Sequence, residues 1–201
     1  MKIDVHPSVA MVQKWMAELP AKSGKSLDQW AAAIRKAKIA KIADARAWLK
    51  EQGIGGNTAS FIAQYTLDRA TWDGDPESYL KAAGEFVAGM YAGPKESLKP
   101  ILLKLVSEAR KFGKDVLVCP CKTMVPLYRN RVFAEIKPTT RTRIDLSLAL
   151  DKEMPESGVL KRNEQRLKKG DRLTHIIALV SEKDVNAEVL KWLRAAYERD
   201  G

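Results

Sequence analysis

Two cysteines and two histidines are all that 201 residues contain. The cysteines, Cys119 and Cys121, are separated by Pro120 alone. One such pair makes no disulfide framework, and Cys-Pro-Cys lacks the two-residue gap of the usual redox and zinc motifs. With only His6 and His175 to add, no second ligand pair exists, so no metal and no cofactor is expected. The thiols read as semi-buried groups at a strand end. No apolar run approaches the ~18–20 residues that span a bilayer. The start, Met1-Lys2-Ile3-Asp4-Val5-His6-Pro7, has no apolar stretch of the signal-peptide kind. A cytoplasmic protein without membrane attachment is the expectation. A glycine-rich phosphate loop, a His-Glu-x-x-His helix and a Gly-x-Ser-x-Gly elbow are missing too, which removes the common signatures of nucleotide hydrolysis, zinc proteolysis and serine hydrolysis.

What the chain has is positive charge, unevenly spread. The net charge is +10. Residues 1–93 carry twelve basic and ten acidic groups, and residues 94–201 carry twenty-three and fifteen. Residues 129–143 hold five bases and one acid, and 161–172 hold six bases and two acids. Such asymmetry points to an anionic partner for the second half, although basic surface also serves solubility.

The first half is helical in pattern. Ser8 can cap a helix to Leu19, with Val9, Val12, Trp15, Met16 and Leu19 on one stripe and Pro20 closing it. Ser26 caps a second helix with Leu27, Trp30, Ala31 and Ile34 inward, and a third runs from about Ile42 to Lys50. Gly53-Ile54-Gly55-Gly56-Asn57 makes a tight turn before a fourth, Thr58–Asp68. Trp15, Trp30 and Trp48 are expected to pin this small unit, since aromatic side chains bury large areas. Breaks at Trp72-Asp73-Gly74-Asp75-Pro76 and Tyr91-Ala92-Gly93-Pro94 bracket a short helical stretch.

A long amphipathic helix is expected from Pro94 to Phe112. Strands follow at Val116–Val118, Met124–Tyr128, Val132–Lys137, Arg143–Leu150 and His175–Val180. Asp151–Gly170 reads as a loop with one helical turn, and Asp184 as the cap of a last helix to Tyr197. The fold class is therefore α+β: a helical domain (1–71), a linker or bridging helix (72–93) and an α-β-β-β-β-β-α domain (94–201). Short neighbouring strands joined by turns imply an antiparallel sheet of about five strands, with helices on one face and the other face partly wet.

Tyr128-Arg129-Asn130-Arg131-Val132-Phe133-Ala134-Glu135-Ile136-Lys137-Pro138, then Arg143-Ile144-Asp145-Leu146 and Arg172-Leu173-Thr174-His175-Ile176, resemble a bacterial domain of unknown function, number 5655, over about 94–199. Met11-Val12-Gln13-Lys14-Trp15, Ser23-Gly24-Lys25-Ser26-Leu27-Asp28-Gln29-Trp30 and Arg46-Ala47-Trp48-Leu49-Lys50 resemble a companion domain of unknown function, number 4287, over about 6–70. Neither resemblance implies an activity or a catalytic residue.

Three functional readings remain. The first is a scaffold or protein-interaction module, with a protein partner on the helical domain. The second is binding of nucleic acid or a phosphorylated ligand. Its candidates are Arg129, Arg131, Lys137, Arg141, Arg143, Arg162, Arg166, Lys168 and Arg172, with Tyr128 and Phe133 as stacking residues. Alternate strand positions share a face, so these cations could gather on one side of the sheet, where Glu135, Asp145 and Asp171 are also available to pair with them. The third is an enzyme. Glu135-Ile136-Lys137 matches the Glu-x-Lys of a metal-dependent nuclease, with Asp145 or Asp115 as second carboxylate, and an Asp145–His175 pair would suit acid–base chemistry if their strands adjoin.

Overall fold

The computed structural model describes residues 1–67 and 75–201. Trp72-Asp73-Gly74, expected as a break, and Asp68, expected to end the fourth helix, lie outside these residues. The chain forms two compact units: Pro7–Ala82, and Ala83–Gly201 together with Met1–His6. No helix among the described residues is long and apolar enough to cross a membrane.

The helical unit contains α1 (Pro7–Ser23), α2 (Leu27–Lys36), α3 (Ile42–Glu51), α4 (Gly56–Leu67) and the first part of α5 (Pro76–Met90). Pro20 does not end α1, contrary to expectation. The helix runs on to Ser23, and Gly24 N–H closes it on the Pro20 carbonyl at 2.8 Å. Proline here forfeits one hydrogen bond but keeps a helical φ, and Ser23 Oγ donates to the Leu19 carbonyl at 2.7 Å. Ser26 caps α2 in a full capping box with Gln29. The core gathers Leu27, Trp30, Ile34, Leu49 and Ile62. Trp30 meets Trp48 edge-to-face at 6.1 Å. Trp15 is half-buried and stands outside this cluster, so two tryptophans pin the core instead of three.

In the sheet unit, a 3-10 turn (Gly93–Leu98) leads into α6 (Lys99–Arg110). One long helix was expected here. Pro100 has no N–H to donate four residues back, so an α-helix begins afresh with proline in its first turn, where that donor is not needed. Six strands follow: β1 (Leu117–Val118), β2 (Val125–Tyr128), β3 (Val132–Pro138), β4 (Ile144–Leu148), β5 (Lys161–Arg162) and β6 (His175–Leu179), with α7 (Glu164–Lys168) between the last two. Their spatial order is β1-β2-β3-β4-β6-β5, with every pairing antiparallel. The sixth strand, β5, comes from the segment expected as loop. A 3-10 turn (Glu182–Asp184) and α8 (Ala187–Arg199) complete the unit. Asn186, not Asp184, caps α8; Asp184 instead accepts from the Val180 and Ser181 amides.

The alternation of β4 sorts the two faces of the sheet. Ile144, Leu146 and Leu148 join Ile136, Leu127, Ile177 and Leu179 under α6 and α8 in a continuous core. Asp145 and Ser147 point to the opposite, outer face. Met1–His6 belongs to this unit: the Asp4 amide bonds the Val118 carbonyl at 2.9 Å, and its carboxylate holds Arg110 at 2.5 Å.

Candidate functional site: a cleft on the outer sheet face

Register decides which side chains meet on the outer face. Glu135 lies opposite Ser147, which lies opposite Ile176, which lies opposite Lys161. Lys137 lies opposite Asp145, and Asp145 opposite Ala178. Two rows thus cross the strands, about 7 Å apart by strand rise. β5 and α7 rise at one side and close a hollow of about 390 Å³, lined by Glu135, Lys137, Asp145, Ser147, Arg166 and Ile176 among others.

Most charges in the hollow are already matched. Arg166 reaches Glu135 at 2.6 Å and Asp171 at 3.3 Å, and the Glu135 side chain is only 7% exposed. Arg143 Nε lies 2.9 Å from Asp145 Oδ1, and its Nη2 donates to Oδ2 at 3.4 Å. Arg162 pairs with Glu164 at 3.1 Å and donates to the Lys152 carbonyl at 2.7 Å. Lys137 is different: half-buried, it has no ion pair and no side-chain hydrogen bond among the described residues, and neither has the Ser147 hydroxyl. The cleft therefore offers an uncommitted ammonium and an uncommitted hydroxyl on a wall of neutralised pairs.

Three of the four candidate catalytic groups, Glu135, Lys137 and Asp145, share this face. His175 does not. It faces Leu148 across the register, fully buried, with its ring nitrogens 2.9 Å from Thr174 Oγ1 and 3.0 Å from the Met154 carbonyl. β4 and β6 do adjoin, but Asp145 sits opposite Ala178, so the Asp–His pair does not form. Among the described residues no group of three His, Cys, Asp or Glu side chains lies together as a metal would need.

The nine basic candidates do not assemble into one exposed face. Five are ion-paired: besides Arg143, Arg162 and Arg166, Arg129 holds Asp115 at 2.7 Å and Arg172 holds Asp200 at 2.5 Å. Arg129 also covers the Tyr197 ring at 4.4 Å. The other four are separated. Arg131 lies at the β2–β3 turn, Lys137 in the cleft, Arg141 at the β3–β4 turn and Lys168 at the end of α7.

Neither stacking candidate serves. A register shift at Leu127/Tyr128 lets Phe133 and its neighbour Ala134 both bury, and Phe133 packs edge-on to Tyr197 at 5.6 Å. Tyr128 is committed to His6, hydroxyl to Nε2 at 2.9 Å, and burial pushes its pKa up to about 12. Cys119 is buried, its thiol pushed up to about 12 by loss of water, and Cys121 is raised by burial and then by Glu135. The sequence pointed to Arg162 and Arg166, which stand on β5 and α7 at the rim, but singled out neither Ser147 nor Ile176; the signal available for Ser147 was the β4 alternation.

The architecture is thus that of an α+β domain built on a six-stranded antiparallel sheet, one face under helices and the other bearing a polar cleft. Residues 87–200, more than half of the chain, match the family described as a domain of unknown function (DUF5655), and the chain belongs to that family. No curated protein and no solved structure matches it.

Proposed function

We propose that the sheet unit binds a small anion, with a phosphate or carboxylate group as the recognised feature, in the outer-face cleft. The observation that carries this is the unpaired Lys137 ammonium beside the free Ser147 hydroxyl, in a hollow where the neighbouring cations are spent on carboxylates. A hollow of about 390 Å³ falls in the size range of small-ligand sites. Such a ligand stabilises the fold by mass action, about 2.7 kcal/mol at a hundred times its dissociation constant. Inorganic phosphate, pyrophosphate and acetate should therefore raise the melting temperature of the protein. Lys137→Met should remove that gain with the fold intact. Identical shifts in wild type and variant would refute the reading.

Nucleic-acid binding has less support, because the uncommitted cations form no continuous stripe. A protein-docking role through the helical unit rests on little exposed apolar surface: Met11 and Leu80 are its exposed large apolar side chains among the described residues. Metal-assisted hydrolysis is favoured by one observation, that Glu135, Lys137 and Asp145 share the cleft. It requires Arg166 and Arg143 to release both carboxylates, and manganese-dependent cleavage of a phosphodiester, lost in Lys137→Met, is its test. We also read residues 6–70 as the companion domain of unknown function 4287, and a reducing cytoplasm as the setting that suits two free thiols.

A further inference from the structure

The geometry points to an amphiphilic ligand: an anionic head at Lys137 joined to an aliphatic body that lies across β4 and β6. This rests on the anion-binding reading above and adds the class of molecule. The outer face changes character from strand to strand. β3 presents Glu135 and Lys137, β4 presents Ser147 and Asp145, and β6 presents Ile176 and Ala178. Beyond β6 a second hollow of about 410 Å³ adjoins the first, sharing Asp145 and Ile176 with it. Val159, an exposed valine, forms its outer wall.

The charges at the margin of this second hollow are ion-paired. Arg143 is tied to Asp145 and Lys161 to Glu156. What remains on offer there is aliphatic surface, with no aromatic side chain in the lining. From the β3 position of Lys137 to the β6 position of Ala178 is two inter-strand spacings, about 10 Å. A ligand with its negative group on Lys137 and its length across the strands meets charge first, then passes between the Arg143-paired Asp145 opposite Lys137 and the Ser147 hydroxyl of the neighbouring row, and then reaches the aliphatic Ala178 and Ile176. Charge complementarity fixes the head, and loss of water from Ile176, Ala178 and Val159 favours a hydrocarbon tail.

Isothermal titration with methyl, butyl, hexyl and octyl phosphate tests this on the full chain. Each methylene buried in a partly open groove should tighten binding about two- to fourfold, the upper figure corresponding to ~0.8 kcal/mol. The gain should level off once the tail passes Val159. Ala178→Asn should flatten the chain-length dependence, and Val159→Ser, on a loop, should reduce it. If methyl phosphate binds through Lys137 but longer tails add nothing, the amphiphile is wrong and the anion reading stands. If tails add affinity equally in both variants, the hydrocarbon lies elsewhere and the inference fails. Tighter binding of a nucleoside monophosphate than of octyl phosphate overturns the aliphatic assignment. If neither the alkyl phosphates nor acetate binds, both readings fall.

Discussion

Replacing Arg166 should destabilise the sheet unit more than replacing the carboxylate it holds. The two meet at 2.6 Å, with Glu135 7% and Arg166 24% exposed. Removing one partner of a buried ion pair costs about 3–5 kcal/mol, because the survivor keeps its charge without a partner or water. Arg166 lies at the cleft rim, so solvent recovers part of this and we expect roughly 2–3 kcal/mol for Arg166→Ala. Glu135→Gln is milder. The guanidinium retains Asp171 at 3.3 Å and reaches water, and the amide oxygen still accepts a bond, so about 1 kcal/mol is expected. The double variant should fall near Glu135→Gln, giving a coupling of about 2–3 kcal/mol. Hydrogen exchange of peptides from β3 and β4 in rising urea reads the sheet unit separately from the helical one. The reasoning is refuted if Arg166→Ala stays within about 0.5 kcal/mol of wild type, or if Glu135→Gln is the more damaging change.

Burial lowers the pKa of His6 below its ordinary value, so the folded state favours the neutral ring. The unfolded chain then binds more protons below about pH 6.5, and the hold of Met1–His6 is complete above that and lost as pH falls toward the depressed value. Exchange at the Val118 amide, which donates to Asp4 Oδ2, should quicken across this window in wild type and not in His6→Gln; equal behaviour contradicts it. Asp200 has a 3% exposed side chain holding Arg172 and the Arg131 amide, so Asp200→Ala should cost roughly 2–4 kcal/mol in chemical unfolding. An effect below about 1 kcal/mol would disprove a buried clasp. With both thiols raised in pKa, alkylation by iodoacetamide near neutral pH should be slow until denaturant is added, since the thiolate is the nucleophile. Rapid modification of Cys119 in the native protein would count against its burial.

The broad architecture was legible because β4 and the α8 stripe carry clean periodicity. Ile144, Leu146 and Leu148 against Asp145 and Ser147 gave the two faces directly. The cleft was half legible: Glu-x-Lys in β3 fixes Glu135 and Lys137 on one side, but only register could bring Asp145 opposite Lys137. Simple parity failed at the β2–β3 hairpin. The shift at Leu127/Tyr128 sends Phe133 inward and leaves Glu135 outward, two residues that strict alternation puts on one face. β5 escaped notice because two residues, Lys161 and Arg162, have no apolar periodicity; β6 recruits them as an edge. Asp4 and His6 gave no sign of their partners Arg110 and Tyr128, more than a hundred residues away.

Charge runs in a sequence overstate charged surfaces in a fold, and here the reason can be followed pair by pair. The surplus in 161–172 dissolves as Lys161 takes Glu156, Arg162 takes Glu164, Arg166 takes Glu135 and Asp171, and Arg172 takes Asp200. Only the exposed Lys168 and Lys169 are left without an ion pair among the described residues of that stretch. The surplus in 129–143 reduces in the same way to Arg131, Lys137 and Arg141, because Asp115 and Asp145 absorb the other two arginines. A polyanion needs many cations in line and gains from each; these residues are too dispersed to supply that. A single head group needs one cation, partly withdrawn from water, with a hydrogen-bonding neighbour and a wall to lie against. Of the three that remain in that stretch, Lys137 lies in a concavity that provides them, so the site emerges from which charges stay unspent after folding, and not from how many the chain carries.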